Sequence, residues 1–130
     1  MQFGIVRRTQ HPKIADVARA VEDAGFESLW LTEHTHVPVG SMSEAEAERR
    51  RQLLDPFVAL AAAAAVTSEL RLGTAVCVLS HREPLVLAKT VATLDLISNG
   101  RILFGVGAGS VPEENLNFGI TSRQYGTMLR

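Results

Sequence analysis

Cysteine is nearly absent: Cys77 is the only one in 130 residues. A single thiol forms no internal disulfide, which excludes a secreted, disulfide-stapled module. An excess of one charge sign is also lacking, since 13 Lys and Arg face 14 Asp and Glu for a net charge of −1. That balance lacks the basic footprint of nucleic-acid binders, so no nucleic-acid partner is expected. No apolar run approaches the ~20 residues that span a bilayer, so no membrane partner is expected. The opening MQFGIVRR lacks the basic-then-apolar order of a secretory leader. The expectation is a soluble, cytoplasmic protein. What is present is 46% apolar and 21% charged residues, the mix of a globular domain and not of a disordered chain.

The pattern alternates strand and helix. Phe3–Val6 is a short apolar strand, and Ile14, Val17, Ala18, Val21 and Ala24 follow helical spacing up to Gly25, a helix-ending residue. Ser28–Thr32 reads as a second strand, and residues 33–53 read as irregular and polar. Asp55-Pro56 opens an alanine-rich helix to about Ser68. Leu70–Leu79 reads as one buried strand, Glu83–Ser98 as a helix, and Arg101–Val106 as a fourth strand after the Asn99-Gly100 punctuation. A Gly-rich turn and a polar loop follow, with helical character again near Ser122. Strands alternating with helices predict a parallel sheet with right-handed crossovers. The units start about 33 residues apart on average, so eight would take roughly 260 residues, the size of a (β/α)8 TIM barrel. The fold expected is therefore α/β, with residues 1–130 supplying the first four βα units as the N-terminal half of one barrel domain. A complete four-stranded open sheet is the alternative.

In such folds ligands sit at the carboxyl ends of the strands. The loops there, residues 7–11, 33–53, 80–83 and 107–122, hold all four histidines, His11, His34, His36 and His81. Glu33-His34-Thr35-His36 directly follows the second strand, whose end holds these side chains in place. Histidine titrates near neutral pH, which suits proton transfer or hydrogen bonding to a ring. His34 and His36 form an H-x-H pair that would also suit a metal, although no third ligand is evident, and two solvated loop histidines are the plain alternative. Gly105-Val-Gly-Ala-Gly-Ser110 fails the dinucleotide fingerprint, because its third glycine position is Ser110. It offers either backbone that a flat ligand can approach or a tight barrel turn. Gly73-Thr74-Ala75-Val76 places small residues mid-strand and leaves room at the barrel mouth. Cys77 and Trp30 read as core residues. The charge run Glu44–Arg51 (EAEAERRR) reads as a solvated face with Glu46 and Arg50 one turn apart, inside an insert long enough to serve as a lid.

The segments GFESLWLTEH, LLDPFVALAAAAAVTSELRLGTAVCVL, REPLVLAKTVATLDLISNGRILFGVGAG and EENLNFGI together resemble the luciferase-like flavin-dependent monooxygenases and their deazaflavin (coenzyme F-420) relatives, from Phe3 to about Ile120. The resemblance implies a (β/α)8 barrel, FMN or F-420 as cofactor, a small-molecule substrate and a homodimer when full length. It implies that His34 is the catalytic histidine beside the flavin ring, next to Glu33. Ala75 and Val76 match the third-strand site where the family bears a non-prolyl cis peptide against the ring. Gly107, Ala108 and Gly109 match the turn that flanks it. One departure stands out. Deazaflavin sugar-phosphate dehydrogenases of the family carry a proton-donating glutamate just after that turn, where this chain has Ser110, with Glu113 and Glu114 nearby but out of alignment.

The resulting expectation is an oxidoreductase. A flavin would activate oxygen and pass one atom to substrate, whereas a deazaflavin would pass a hydride. The half barrel alone is expected to be inactive and, with its exposed sheet edges, to aggregate or pair. Two other readings remain at this point: a metal-dependent barrel hydrolase using His34 and His36, and a non-catalytic flavin-binding or truncated half barrel.

Overall fold

Glycines, prolines and capping side chains cut the chain into the expected alternation. In the computed structural model, which describes residues 3–7, 13–121 and 124, β1 (Gly4–Arg7) precedes α1 (Ile14–Asp23). The buried face of α1 is Ile14, Ala18 and Val21, and the helix ends before Gly25, whose φ of +78° favours glycine. β2 (Ser28–Leu31) follows, then α2 (Glu44–Arg51), whose first turn is capped by the Ser43 hydroxyl. In α3 (Pro56–Ala64) the Asp55 carboxylate accepts from the N–H groups of Phe57 and Val58 at 2.9 and 3.0 Å. Next come β3 (Arg71–Thr74), β4 (Cys77–Val78) and a 3-10 turn at Leu79–His81. The chain continues through α4 (Pro84–Ile97), β5 (Ile102–Leu103), β6 (Val106–Gly107) and α5 (Pro112–Leu116).

The main sheet is parallel in the order β1-β2-β3-β5, and each crossover between neighbours carries a helix. β4 and β6 form a second parallel pair that continues β3 and β5 beyond two bends. The bends are stitched together: the carbonyl of Gly105 accepts from the Thr74 hydroxyl and from the Cys77 N–H, both at 2.8 Å. One sheet face carries Leu29, Leu31 and Leu72, fully buried under helices that contribute Ala18, Leu60, Ala63 and Leu94. On the other face the Trp30 indole lies against Gly73, where any Cβ would strike the ring, and its Nε1–H donates to Ser28 Oγ at 2.9 Å. Below the sheet the Glu22 carboxylate accepts from the N–H groups of Ser68, Glu69 and Leu70 at 2.9, 2.7 and 2.8 Å, fixing the turn into β3. Among the described residues no helix is long and apolar enough to cross a membrane.

The structure revises several sequence expectations. Leu70–Leu79 and Arg101–Val106 are each broken into two short strands, because the chain bends at Ala75-Val76 and at Phe104-Gly105. The insert 33–53 is not wholly irregular, since α2 forms in it, and α5 forms within the polar loop after β6. The alanine-rich helix ends at Ala64, short of Ser68. Ser122, where a further helix was expected, lies outside the described residues.

Candidate active site

The carboxyl ends of β2, β4 and β6 converge, and their loops build one polar cluster. Glu33 leaves β2 and is buried. One carboxylate oxygen accepts from the Val78 N–H at 2.8 Å, and the other accepts from Arg82. Arg82 also reaches Asp55 Oδ2 at 2.6 Å and lies 4.7 Å over the Phe57 ring. Glu33 therefore locks the strand ends to the start of α3.

His34, one residue on, turns the other way and meets α5. Its Nδ1 lies 2.9 Å from Glu114 Oε2. The second oxygen of Glu114 accepts from the Thr35 N–H at 2.7 Å and from the Thr35 hydroxyl at 3.0 Å. Burial alone would raise the Glu114 carboxyl, but the bonds from His34 and Thr35 outweigh it and hold the group at about 2. Ionised Glu114 is an acceptor only, so His34 carries its proton on Nδ1 and leaves the Nε2 lone pair free to accept. Nη1 of Arg50, from α2, lies 3.1 Å from Nε2 and 3.4 Å from Nδ1.

Beside this cluster lies a cleft of about 230 Å³, lined by His34, Val76, Val78, Ala108, Gly109 and Ser110 together with Glu33 and Glu114. The Ala75-Val76 peptide is cis, and Val76 is exposed to the cleft. Two glycines let the side chains of this wall pack closely. A Cβ on Gly107 would sit 2.6 Å from Val76 Cγ2, and Gly109 has a φ of +83° with Asn115 and Val78 at 3.1 Å from any Cβ. Ala108 presents its carbonyl to Asn115 Nδ2 at 3.3 Å.

The structure thus gathers Glu33, His34, Val76, Ala108 and Gly109 around one cleft and packs Gly107 against Val76, while Ala75 forms the other half of the cis peptide. His36 points outward, with Nδ1 3.1 Å from Thr35 Oγ1 and Nε2 accepting from Asn117 Nδ2 at 2.7 Å. His81 donates from Nε2 to Asn115 Oδ1 at 2.6 Å and stacks on Phe118 at 4.1 Å. Its Nδ1 is buried without a partner, 4.0 Å from Glu114 Oε1. His11 lies outside the described residues. Among the described residues no group of three His, Cys, Asp or Glu is placed to hold a metal ion. Cys77 is fully buried, and burial first, then the nearby Glu33 charge, pushes its thiol up to about 12, which keeps it protonated and inert.

Sequence reasoning missed three contributors. Glu114 was visible as the second acid behind Pro112, the start of a helix, but nothing local said it faces His34. Arg50 lies on the same helix edge as Ala47 and Glu46, and that edge, not the whole run, turns inward: Ala47 is buried, and the side chains of Arg50 and Glu46 are only 18% and 20% exposed. This corrects the reading of the charge run as a solvated face. Arg82, in the loop 80–83, had no role in the sequence reading, and its partners Glu33 and Asp55 stand 49 and 27 residues away.

Comparison with known proteins accords with this geometry. An uncharacterized protein of Mycobacterium tuberculosis is 40% identical over 141 residues, covering 100% of this chain and 50% of its own length. The coenzyme F420 dependent tetrahydromethanopterin reductase of Methanopyrus kandleri superposes with a TM-score of 0.67 at 32% identity, over 84% of this chain and 27% of that one. The oxygenating constituent of 3,6-diketocamphane monooxygenase from Pseudomonas putida, solved in complex with FMN, superposes with a TM-score of 0.77 over 94% of this chain and 33% of that one; at 22% identity this speaks to the fold. The chain spans about half the length of the curated relatives it matches over its whole extent. Its architecture is that of the N-terminal part of a luciferase-like TIM barrel, as the spacing of its units predicts. The family model described as luciferase-like monooxygenase matches residues 1–130, and the chain belongs to that family.

Proposed function

We propose that the cleft holds the ring system of FMN or of the deazaflavin F-420, and that the whole protein is an oxidoreductase of a small organic substrate, with monooxygenation as the leading reaction. The observation that carries this is the pairing of His34, a proton-handling side chain, with a wall of small and apolar residues, Val76, Ala108 and Gly109, across one cleft. A planar ring needs close backbone approach and apolar walls, which Gly109, Ala108 and Val76 supply. The bound cofactor would supply the redox chemistry.

The chain's own residues prepare the site. His34 presents Nε2 as the acceptor, the nitrogen able to take a proton or bond a ring atom. Glu114 fixes that tautomer and offsets the charge of an imidazolium. Glu33, held by Val78 and Arg82, acts through position by setting where β2 ends and His34 begins. Val76 and Ala108 exclude water from the contact face. No observation favours the metal-hydrolase reading: among the described residues no third ligand stands with His34 and His36.

A second copy of the chain is the proposed partner. Val58, Leu85, Val86 and Ile97 are exposed along a groove of about 570 Å³ between α3 and α4, and α3 carries no charged residue on any face.

The test is titration of the native protein with FMN and with F-420, followed by His34→Ala. One cofactor is expected to bind. The variant should lose at least about tenfold in turnover with cofactor affinity little changed. Failure to bind either cofactor would overturn the proposal, and undiminished turnover in the variant would remove His34 from it.

A further inference from the structure

α2 meets the site through its inner edge. Ala47 is its only buried residue, and Arg51 and Gln52 pair within the helix, with Glu44 and Glu48. Arg50 pairs with Glu46 at 2.9 Å and also crosses to His34 at 3.1 Å. We infer that the Arg50–His34 contact is a proton-sensitive latch, which seats α2 while His34 Nε2 is bare and loosens when that nitrogen takes a proton.

The argument is one of donors and acceptors. A guanidinium only donates and does not lose its charge. Nδ1–H of His34 is committed to Glu114, and Arg50 Nη1, 3.1 Å from Nε2 and 3.4 Å from Nδ1, rests over the electron-rich face of the neutral imidazole. A proton on Nε2 turns that face into a cation and sets two positive charges 3.1 Å apart. The surrounding charges do not rescue the contact. Glu114, from α5, answers one positive charge and has its other oxygen filled by Thr35. Glu46, from α2, is already paired with Arg50. Glu33 beside His34 and Asp55 at the head of α3 are both held by Arg82. His81 faces Glu114 Oε1 from 4.0 Å and does not approach α2 through any bond among the described residues.

Coupling of this kind is reciprocal. A step that leaves a proton on His34 loosens α2, and a seated α2 resists that proton. The insert expected from its length to be a lid thereby gains a trigger, namely the protonation state of the residue it rests on. The latch stands on this geometry alone and is independent of which cofactor binds, or whether one does.

The experiment is hydrogen exchange of the α2 amides in the native protein, corrected for intrinsic rates, across the imidazole range from about pH 7.5 to about pH 5.5. Protection of α2 should fall about tenfold or more on acidification, while α4 protection stays level. His34→Gln keeps a polar planar group beside Arg50 and a donor for Glu114 but takes no proton, so its α2 protection should be independent of pH. Arg50→Gln, which keeps His34 and its bond to Glu114, should show low α2 protection at every pH. Level α2 protection in the parent protein, or an undiminished pH response in either variant, would overturn the latch.

Discussion

Replacing Glu114 with glutamine removes a buried charge without changing side-chain length, and the structure gives its size. The carboxyl sits at about 2 in the folded protein against an ordinary 4.5, a difference worth about 3 kcal/mol. A folded value below the unfolded one means that this stability is complete above about pH 4.5 and disappears as pH falls toward about 2. Glutamine recovers little of it. All three partners, His34 Nδ1–H, the Thr35 N–H and the Thr35 hydroxyl, donate. The amide has one oxygen for them, and its NH2 must face a donor. His34 can relieve that clash only by moving its proton to Nε2, which trades the charge-assisted bond to the carboxylate for a weaker neutral one. Urea unfolding of the native protein and of Glu114→Gln at several pH values measures the effect. The variant should be about 2–3 kcal/mol less stable at pH 7, and the gap should narrow by about 2 kcal/mol by pH 3. A gap that stays constant within about 0.5 kcal/mol over that range would refute the assignment of Glu114 as an ionised, three-bonded acceptor.

Arg82→Met strands the buried Glu33 carboxylate and should cost about 3–5 kcal/mol in urea unfolding; adding Glu33→Gln should recover part of that, and no recovery would contradict the pairing. Gly107→Ala places a methyl 2.6 Å from Val76 Cγ2 and crowds the cleft wall, so affinity for the bound cofactor should fall about tenfold or more, with room restored by Val76→Ala. Unchanged affinity in the single variant would place the ring elsewhere. Glu22→Gln weakens the bonds to the N–H groups of Ser68, Glu69 and Leu70 and should cost about 1–2 kcal/mol. Burial raises the Glu22 carboxyl but these bonds lower it further, so that stabilisation is present at neutral pH and is lost as pH drops through the carboxylate range, which acid-limb unfolding of the parent and variant would show.

Local signals made most of the fold legible. Asp55-Pro56 and Glu83-Pro84 each combine a capping carboxylate with a proline in the first turn, and both open helices where expected. Gly25 and Gly100, at φ of +78° and +74°, stand just past two helix ends. α2 was illegible for a physical reason. Its sequence has almost no apolar periodicity, because it is held by Glu–Arg pairs along its own surface and by the Ser43 cap, and a hydrophobic pattern cannot report such a helix. The breaks in the third and fourth strands were equally hidden. Ala75-Val76 has the composition of a continuing strand, and the bend is defined by Thr74 and Cys77 bonding to Gly105 across the sheet.

The site divides along the same line. His34 was legible because the end of a strand holds a side chain in a known place. Its partner Glu114 stands 80 residues away and enters only through the crossover that returns α5 over the strand ends. The resemblance drew attention to the position just after the glycine turn, where Ser110 replaces a proton-donating glutamate. The structure does bring a carboxylate to His34, four residues later, on the first turn of α5. That carboxylate does not restore the missing role. A group held at about 2 and filled by three donors is ionised at neutral pH and has no proton to give. What it does in the structure is hold the imidazole, which fits the proposed role of His34 as the proton-handling group. A mechanism that draws a proton from Glu114 finds no donor there.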